Sequence, residues 1–401
     1  MKSLNILILA SALPYPLDDG GKLILFPLIK ILSSSHRITL LSFINSEEEK
    51  KYVSYMGKYC EVHTVVRKRK NSMLNRVRFV FTPFPYGASL NKSTEMRSAL
   101  RELLLSRSFD LLHCHYSHMA QYVSGKFIMP KLIYAVDCDS LIYERRMRAE
   151  KNPVLRAYLW WQWLRNIYYE ATKFRVFDAA VTVSEPDSNA LRRSAPGLKT
   201  FVVPNGVDTE YFKPSLLQER KKRILFTGVM DYHPNVDAAV YVAKYIMPHV
   251  WQNMPDAEFY IVGRNPTAGI LKLSAMDKRI VVTGYVEDIR PYFDASSVYA
   301  CYMLTGSGIK NKVLEAMAMG VPVVANTLSM NSIAALNGKD FLKADTPEAF
   351  ADNIVLLLKD KTFADKIGTS GRDFVIKHHG WHTTADVMNR IYETLICRNK
   401  I

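Results

Sequence analysis

Short apolar runs recur along the chain, each closed by a small or polar residue and followed by a stretch whose apolar positions lie three and four apart. In the first half these runs span Leu4 to Ala10, Ile38 to Phe43, Leu111 to His115, Leu132 to Val136, Ala179 to Val183 and Phe201 to Val203. The second half repeats the plan with Arg223 to Gly228, Glu258 to Gly263, Ile280 to Tyr285, Ser297 to Tyr302, Pro322 to Ala325 and a weaker Asp340 to Lys343. Runs that are apolar on both faces and alternate with helical stretches predict parallel strands covered by helices, so the expected class is α/β. Ser184-Glu185-Pro186-Asp187 is a capping box that opens a helix, Asn235 is placed to cap another, and Gly320 followed by Pro322 closes the helix that contains Glu315. Prolines and the charged run Glu219 to Arg223 mark a linker between two units of similar design. The last helix runs from about Trp381 to Cys397, with Val387, Ile391 and Leu395 on its apolar face; the pattern leaves open which unit it docks on.

Composition narrows the class. The 401 residues are 48% hydrophobic and 23% charged, the balance of a globular chain and not of a disordered one. No stretch reaches the roughly 18 uncharged apolar residues of a membrane-spanning helix. Cys60, Cys114, Cys138, Cys301 and Cys397 are odd in number and widely spaced, which predicts neither disulfides nor a zinc knuckle and suits a reducing cytoplasm. Met1 to Ala12 resembles a short secretory leader, but the run contains Asn5 and leads into Gly20-Gly21 and a helical pattern, as a buried first strand would.

Charge is divided unevenly. The net charge is +15, and residues 1–203 hold 30 bases against 17 acids, so nearly all of the excess lies there. Arg67 to Lys70, Arg145, Arg146 and Arg148, and the segment Lys151 to Arg175 with Trp160, Trp161 and Trp163 concentrate it. Bases interleaved with tryptophans predict peripheral contact with an anionic membrane. Nucleic acid is not expected as a partner, because no zinc finger, RNP motif or basic zipper accompanies the charge.

Open parallel sheets bind ligands beyond the carboxyl ends of their strands, which directs attention to the loops there. Asp18-Asp19-Gly20-Gly21 follows the first strand, and its glycines permit close approach of a phosphate or sugar. His113 and His115 share a face at the end of a strand with His118 behind them; no acid or cysteine partner makes this a metal site, which leaves a packed histidine or one aimed at a ligand. Asp137-Cys138-Asp139 forms a polar edge after another strand. The segment Gly306-Ser307-Gly308-Ile309-Lys310-Asn311-Lys312 runs a glycine-rich loop into a helix, gathering amides, the positive end of the helix and two lysines as a leaving diphosphate requires. Glu315 follows one turn later, within reach of a ribose.

Val203-Pro204-Asn205-Gly206-Val207-Asp208, continuing to Phe212 and Pro214, and the stretch Lys312 to Pro322 resemble the motifs of family 4 glycosyltransferases, retaining enzymes of the two-domain GT-B fold. Val229 to Asp237 and Tyr260 to Asn265 resemble more narrowly the sugar transferases of bacterial exopolysaccharide clusters. The resemblance covers nearly the whole chain. It implies two Rossmann-like domains facing a cleft: 1–203 for the acceptor, 204–380 for the nucleotide sugar, and 381–401 as a C-terminal helical segment. It further implies a nucleotide-diphosphate sugar as donor substrate, a glycan or lipid-linked acceptor, and neither cofactor nor metal. By the same resemblance Glu315 matches the ribose-binding acid, Lys310 and Lys312 adjoin the phosphate loop of Gly306, Ser307, Gly308 and Ile309, and Gly20 and Gly21 form the first-domain loop. His115 corresponds to a histidine near the transferred sugar, and Gly263, Arg264, Gly284 and Tyr285 lie where the family surrounds the nucleotide. Two positions depart from the pattern: Ser307 stands where a second acid is common, and Val229 and His233 where many members carry an arginine and a lysine. The expectation is retaining transfer of a sugar in exopolysaccharide or cell-surface polysaccharide synthesis, with Lys310 and Lys312 neutralising the departing diphosphate. The alternative is a noncatalytic GT-B module that binds a sugar nucleotide or a protein. A nucleotide-dependent oxidoreductase fits poorly, since neither first loop carries Gly-x-Gly-x-x-Gly.

Overall fold

Two units, residues 1–204 with 384–401 and residues 205–383, each form around one parallel sheet in the computed structural model, which describes residues 3–16, 22–67, 82–215, 220–305 and 308–398. The first sheet contains β1 (Asn5–Ala10), β2 (Arg37–Ile44), β3 (Glu61–Val66), β4 (Leu111–His115), β5 (Lys131–Val136), β6 (Ala179–Thr182) and β7 (Thr200–Val202) in the spatial order 3-2-1-4-5-6-7. The second contains β8 (Lys221–Thr227), β9 (Glu258–Val262), β10 (Ile280–Gly284), β11 (Ser296–Cys301), β12 (Val323–Ala325) and β13 (Leu342–Lys343) in the order 10-9-8-11-12-13. Each sheet reverses its direction of winding once, between β1 and β4 and between β8 and β11, and such a switch point opens a crevice at the carboxyl ends of the strands.

Every apolar run read from the sequence becomes a strand, with ends displaced by at most two residues. The first run is the central strand β1, buried from Ile6 to Ala10. The strand not foreseen is β3: it lies at the sheet edge, and Glu61, His63 and Thr64 interrupt any apolar run. Ser184 caps the helix Glu185–Ser194 by accepting from the Asp187 amide, as its capping box predicts. Asn235 does not act as a cap. The helix begins at His233 after Tyr232, and Asn235 lies within its first turn.

The C-terminal helix, Trp381–Arg398, joins the first unit from Thr384 onward. Its buried stripe is Ala385, Met388, Ile391, Tyr392 and Leu395, so Val387 stands at the margin of the face expected for it. Two histidines latch it. The Leu4 amide donates to His36 Nδ1, which puts the ring proton on Nε2, and Nε2 donates to Asn389 Oδ1 at 3.0 Å. His113 Nδ1 lies 2.7 Å from the Tyr392 hydroxyl. Leu112 and Cys114 pack into the core on one face of β4, and side-chain alternation therefore turns His113 and His115 to the other.

Candidate active site

The loops after β8 and β9 touch at backbone level. The Gly228 amide donates to Val262 O at 3.0 Å and the Met230 amide to Arg264 O at 2.8 Å. A Cβ on Gly263 would stand 1.7 Å from Gly228 O, and one on Gly228 would meet Asn235 Nδ2 at 2.6 Å. Only glycine permits this crossing, and it forms the floor of a cavity of about 410 Å³ beside the β8 to β11 switch point.

Five of the residues expected from the sequence meet in that cavity: Gly263, Arg264, Tyr285, Lys312 and Glu315. They are joined by Thr227, Gly228, Tyr211, Glu287 and Ile289, which sequence reasoning did not single out. Gly284 ends β10 immediately before Tyr285.

Lys312 and Glu315 sit three apart on the helix Asn311–Ala318 and so share a face. Lys312 Nζ donates to Asn235 Oδ1 at 2.5 Å and lies 4.5 Å from the centre of the Phe226 ring. Asn235 is itself held, its Nδ2 donating to Val229 O at 3.0 Å. Burial pulls the Lys312 ammonium down to about 8, against the opposing pull of Cys301 and Glu315. Burial likewise pushes the Glu315 carboxyl up to about 7, with Lys312 the only counterweight. The Glu315 carboxyl has no hydrogen-bond or ion-pair partner among the described residues. A held ammonium, an acid with open lone pairs and the positive end of a helix thus face one cavity, a set suited to a diphosphate beside a vicinal diol.

The helix is closed by a Schellman turn, Val321 N donating to Ala316 O and Gly320 N to Met317 O, with Gly320 at φ 61°. Before the helix, Ile309 and Lys310 are buried, and Lys310 Nζ donates to Gly308 O at 2.9 Å; neither lysine neighbour lines the cavity. Gly306 and Ser307, like Gly20 and Gly21, lie outside the described residues. His115 belongs to the first unit, fully buried at the end of β4. Of the acidic edge, Asp139 accepts from Ser117 and opens the helix Asp139–Ala149, while Glu170 accepts from the amide and hydroxyl of Ser140 and Asp187 from the Cys138 amide. These acids stitch the end of β5 to the surrounding helices. Burial raises Asp139 to about 6.

The family model Glycosyltransferase Family 4 matches residues 54–211, and Glycosyl transferases group 1 matches residues 221–360. The chain belongs to glycosyltransferase family 4. An uncharacterised 44.6 kDa protein in the cps region of Klebsiella pneumoniae is 20% identical to this glycosyltransferase, over 94% of this chain and 96% of the relative. UDP-Gal:alpha-D-GlcNAc-diphosphoundecaprenol alpha-1,3-galactosyltransferase of Escherichia coli is 24% identical over 71% of this chain and 76% of its own length. Among solved structures, sucrose-phosphate synthase from Thermosynechococcus elongatus superposes with a TM-score of 0.71 at 16% identity, covering 98% of this chain and 100% of that one. Anabaena Alr3699/HepE in complex with UDP gives 0.67 at 14% identity, covering 98% and 100%. The fold of the glycosyltransferase is GT-B, with two Rossmann-like parallel-sheet units and a helical C-terminus.

Proposed function

We propose that this glycosyltransferase moves a sugar from a nucleotide-diphosphate donor to a lipid-linked or glycan acceptor in the synthesis of a cell-surface polysaccharide, with retention of anomeric configuration. The observation that carries the donor half is the meeting of Lys312, held by Asn235, with Glu315, which has no partner among the described residues, in a cavity at the sheet's switch point. Breaking the bond between anomeric carbon and phosphate oxygen leaves negative charge on the diphosphate. Lys312 and the amides of the first helical turn lie ready to receive it without rearrangement. Glu315 accepts from the ribose hydroxyls and Arg264 adds a second cation. Tyr285, 75% exposed at the cavity rim, offers its ring to the base.

The acceptor half is supported by the relatives: one is named for a diphosphoundecaprenol substrate and another for its place in a capsule region. Retention is supported by the resemblance of the Lys312 to Pro322 motif to retaining enzymes. Activity at the cytoplasmic side of the membrane is part of the same proposal, although no helix of the described residues is long and apolar enough to cross one.

A panel of nucleotide sugars incubated with the protein and lipid-linked acceptors, read by mass spectrometry, tests the reading. Transfer from one donor is expected, and the coupling constant of the new anomeric proton reports retention. No transfer and no hydrolysis across the panel by folded protein would reject catalysis. Donor binding in calorimetry without turnover would favour the noncatalytic module.

A further inference from the structure

Proton accounting in the first unit points to a role for the C-terminal helix. The Tyr392 hydroxyl is fully buried, and its one hydrogen-bond neighbour among the described residues is His113 Nδ1 at 2.7 Å. The nearby Tyr134 hydroxyl points instead to Val203 O at 3.5 Å. A buried phenol keeps its proton and must donate it, so His113 Nδ1 is the acceptor. Burial holds His113 neutral, far below the usual imidazole range at about 3, so its single proton sits on Nε2. That atom lies 3.5 Å from His115 Nδ1 and donates to it. His115 is neutral as well, held down by burial and by His113 and His118, and its own proton therefore resides on Nε2. The reverse polarity would strand the Tyr392 hydroxyl proton in the interior with no acceptor, while also leaving His115 Nε2 unsatisfied. Of the polar atoms of Tyr392, His113 and His115, the assigned polarity leaves one without a partner among the described residues, the Nε2–H of His115.

The position of that group suggests what it awaits. His115 ends β4 at the switch point between β1 and β4, where an open sheet receives ligands. The next residue, Tyr116, has φ 76°, and Val136 at the end of the adjacent β5 has φ 68°, a left-handed backbone that a β-branched side chain strongly resists. Strain of this kind persists at ligand clamps, where the surroundings over-determine the chain.

We propose that Tyr392, acting through His113, fixes the proton of His115 on Nε2, so that His115 meets a substrate oxygen as a standing hydrogen-bond donor and not as a base. This rests on the glycosyl-transfer reading for its substrate, a sugar hydroxyl or phosphate oxygen, but not for its chemistry. Tyr392 and His113 are positioning residues, and the C-terminal helix is a working part of the first unit.

Ring-nitrogen NMR of the full chain labelled at its ten histidines separates the two readings, with His115→Gln used for assignment. The expected result is a single Nε2–H tautomer for His115, unchanged from about pH 5.5 to 8.5. In Tyr392→Phe, which keeps the ring and removes the hydroxyl, that tautomer should become mixed. In the same variant kcat should fall about tenfold with KM for the nucleotide donor within about twofold. An Nδ1–H tautomer in the native protein overturns the proposal, and so does a Tyr392→Phe protein whose tautomer or whose kcat is unchanged. Should Tyr392→Phe fail to fold, His113→Phe must release the tautomer in the same way, and an unchanged Nε2–H tautomer there overturns the proposal. A native protein that transfers no sugar would sink the glycosyl-transfer reading while leaving the tautomer measurement standing.

Discussion

Lys312 and Glu315 are costly residues for the unliganded fold. Burial takes Lys312 from its ordinary 10.5 down to about 8, so the folded state disfavours its charged form, and the resulting loss of stability is complete below pH 8. Burial takes Glu315 from 4.5 up to about 7, so its ionised form is disfavoured and the loss grows as pH rises from 4.5 through 7. At pH 6 Glu315 is mostly neutral and Lys312 charged. Lys312→Met should therefore raise Tm at pH 6 while lowering kcat/KM about 100-fold or more, measured by thermal denaturation and by donor turnover. Unchanged turnover would remove Lys312 from the phosphate site. A diphosphate needs the ammonium and a ribose needs the carboxylate. Calorimetric affinity for the nucleotide should accordingly rise as pH passes about 7 and fall above about 8. Both residues were legible in the sequence because a glycine-rich loop running into a helix has a local meaning. Asn235 was read as a cap, since its contact with Lys312 spans 77 residues and no local pattern encodes it.

At the scale of elements, the loops after β8 and β9 act as one piece through Gly228 and Gly263. Gly263→Ala places a methyl 1.7 Å from a backbone oxygen, which only a shift of both loops relieves. We expect a loss of about 3 kcal/mol or more in denaturant unfolding, together with loss of nucleotide binding; a mild effect would show that the two loops move independently. The strands were readable because burial on both faces of a parallel sheet demands continuous apolar runs, and β3 escaped because Glu61, His63 and Thr64 break its run. The helix end at Gly320 was readable for a different reason, since few residues but glycine take a positive φ at low cost.

Across the whole molecule, part of the charge excess of residues 1–203 acquires a location, while Lys68 to Lys70 lie outside the described residues. The hairpin of helices Asp139–Ala149 and Pro153–Lys173 carries Arg145, Arg146, Arg148 and Arg156 beside Val154, Tyr158 and Trp160, whose exposures are 78%, 45% and 49%. Aromatic and aliphatic side chains left in water among arginines suit the headgroup zone of an anionic bilayer. Sedimentation with phosphatidylglycerol vesicles should pull the protein down at low salt and release it at about 0.5 M, where screening is nearly complete at contact distances. Replacing Trp160 and Arg156 together by Ala and Glu should weaken that binding. Indifference to lipid charge and to salt would leave the hairpin as solvated surface.

The sequence by itself determined the fold class, every strand but β3, the glycine turn at Gly320 and the lysine and acid of the cavity at the β8 to β11 switch point, because each is written in residues close together in the chain. Tertiary structure alone decided which residues hold those groups and what state they take. Asn235 reaches Lys312, Tyr392 reaches His113 across 279 residues, and the C-terminal helix completes the first unit. The physical reason is that periodicity reports whether a side chain is buried, whereas protonation and hydrogen-bond direction depend on the partner brought beside it by folding.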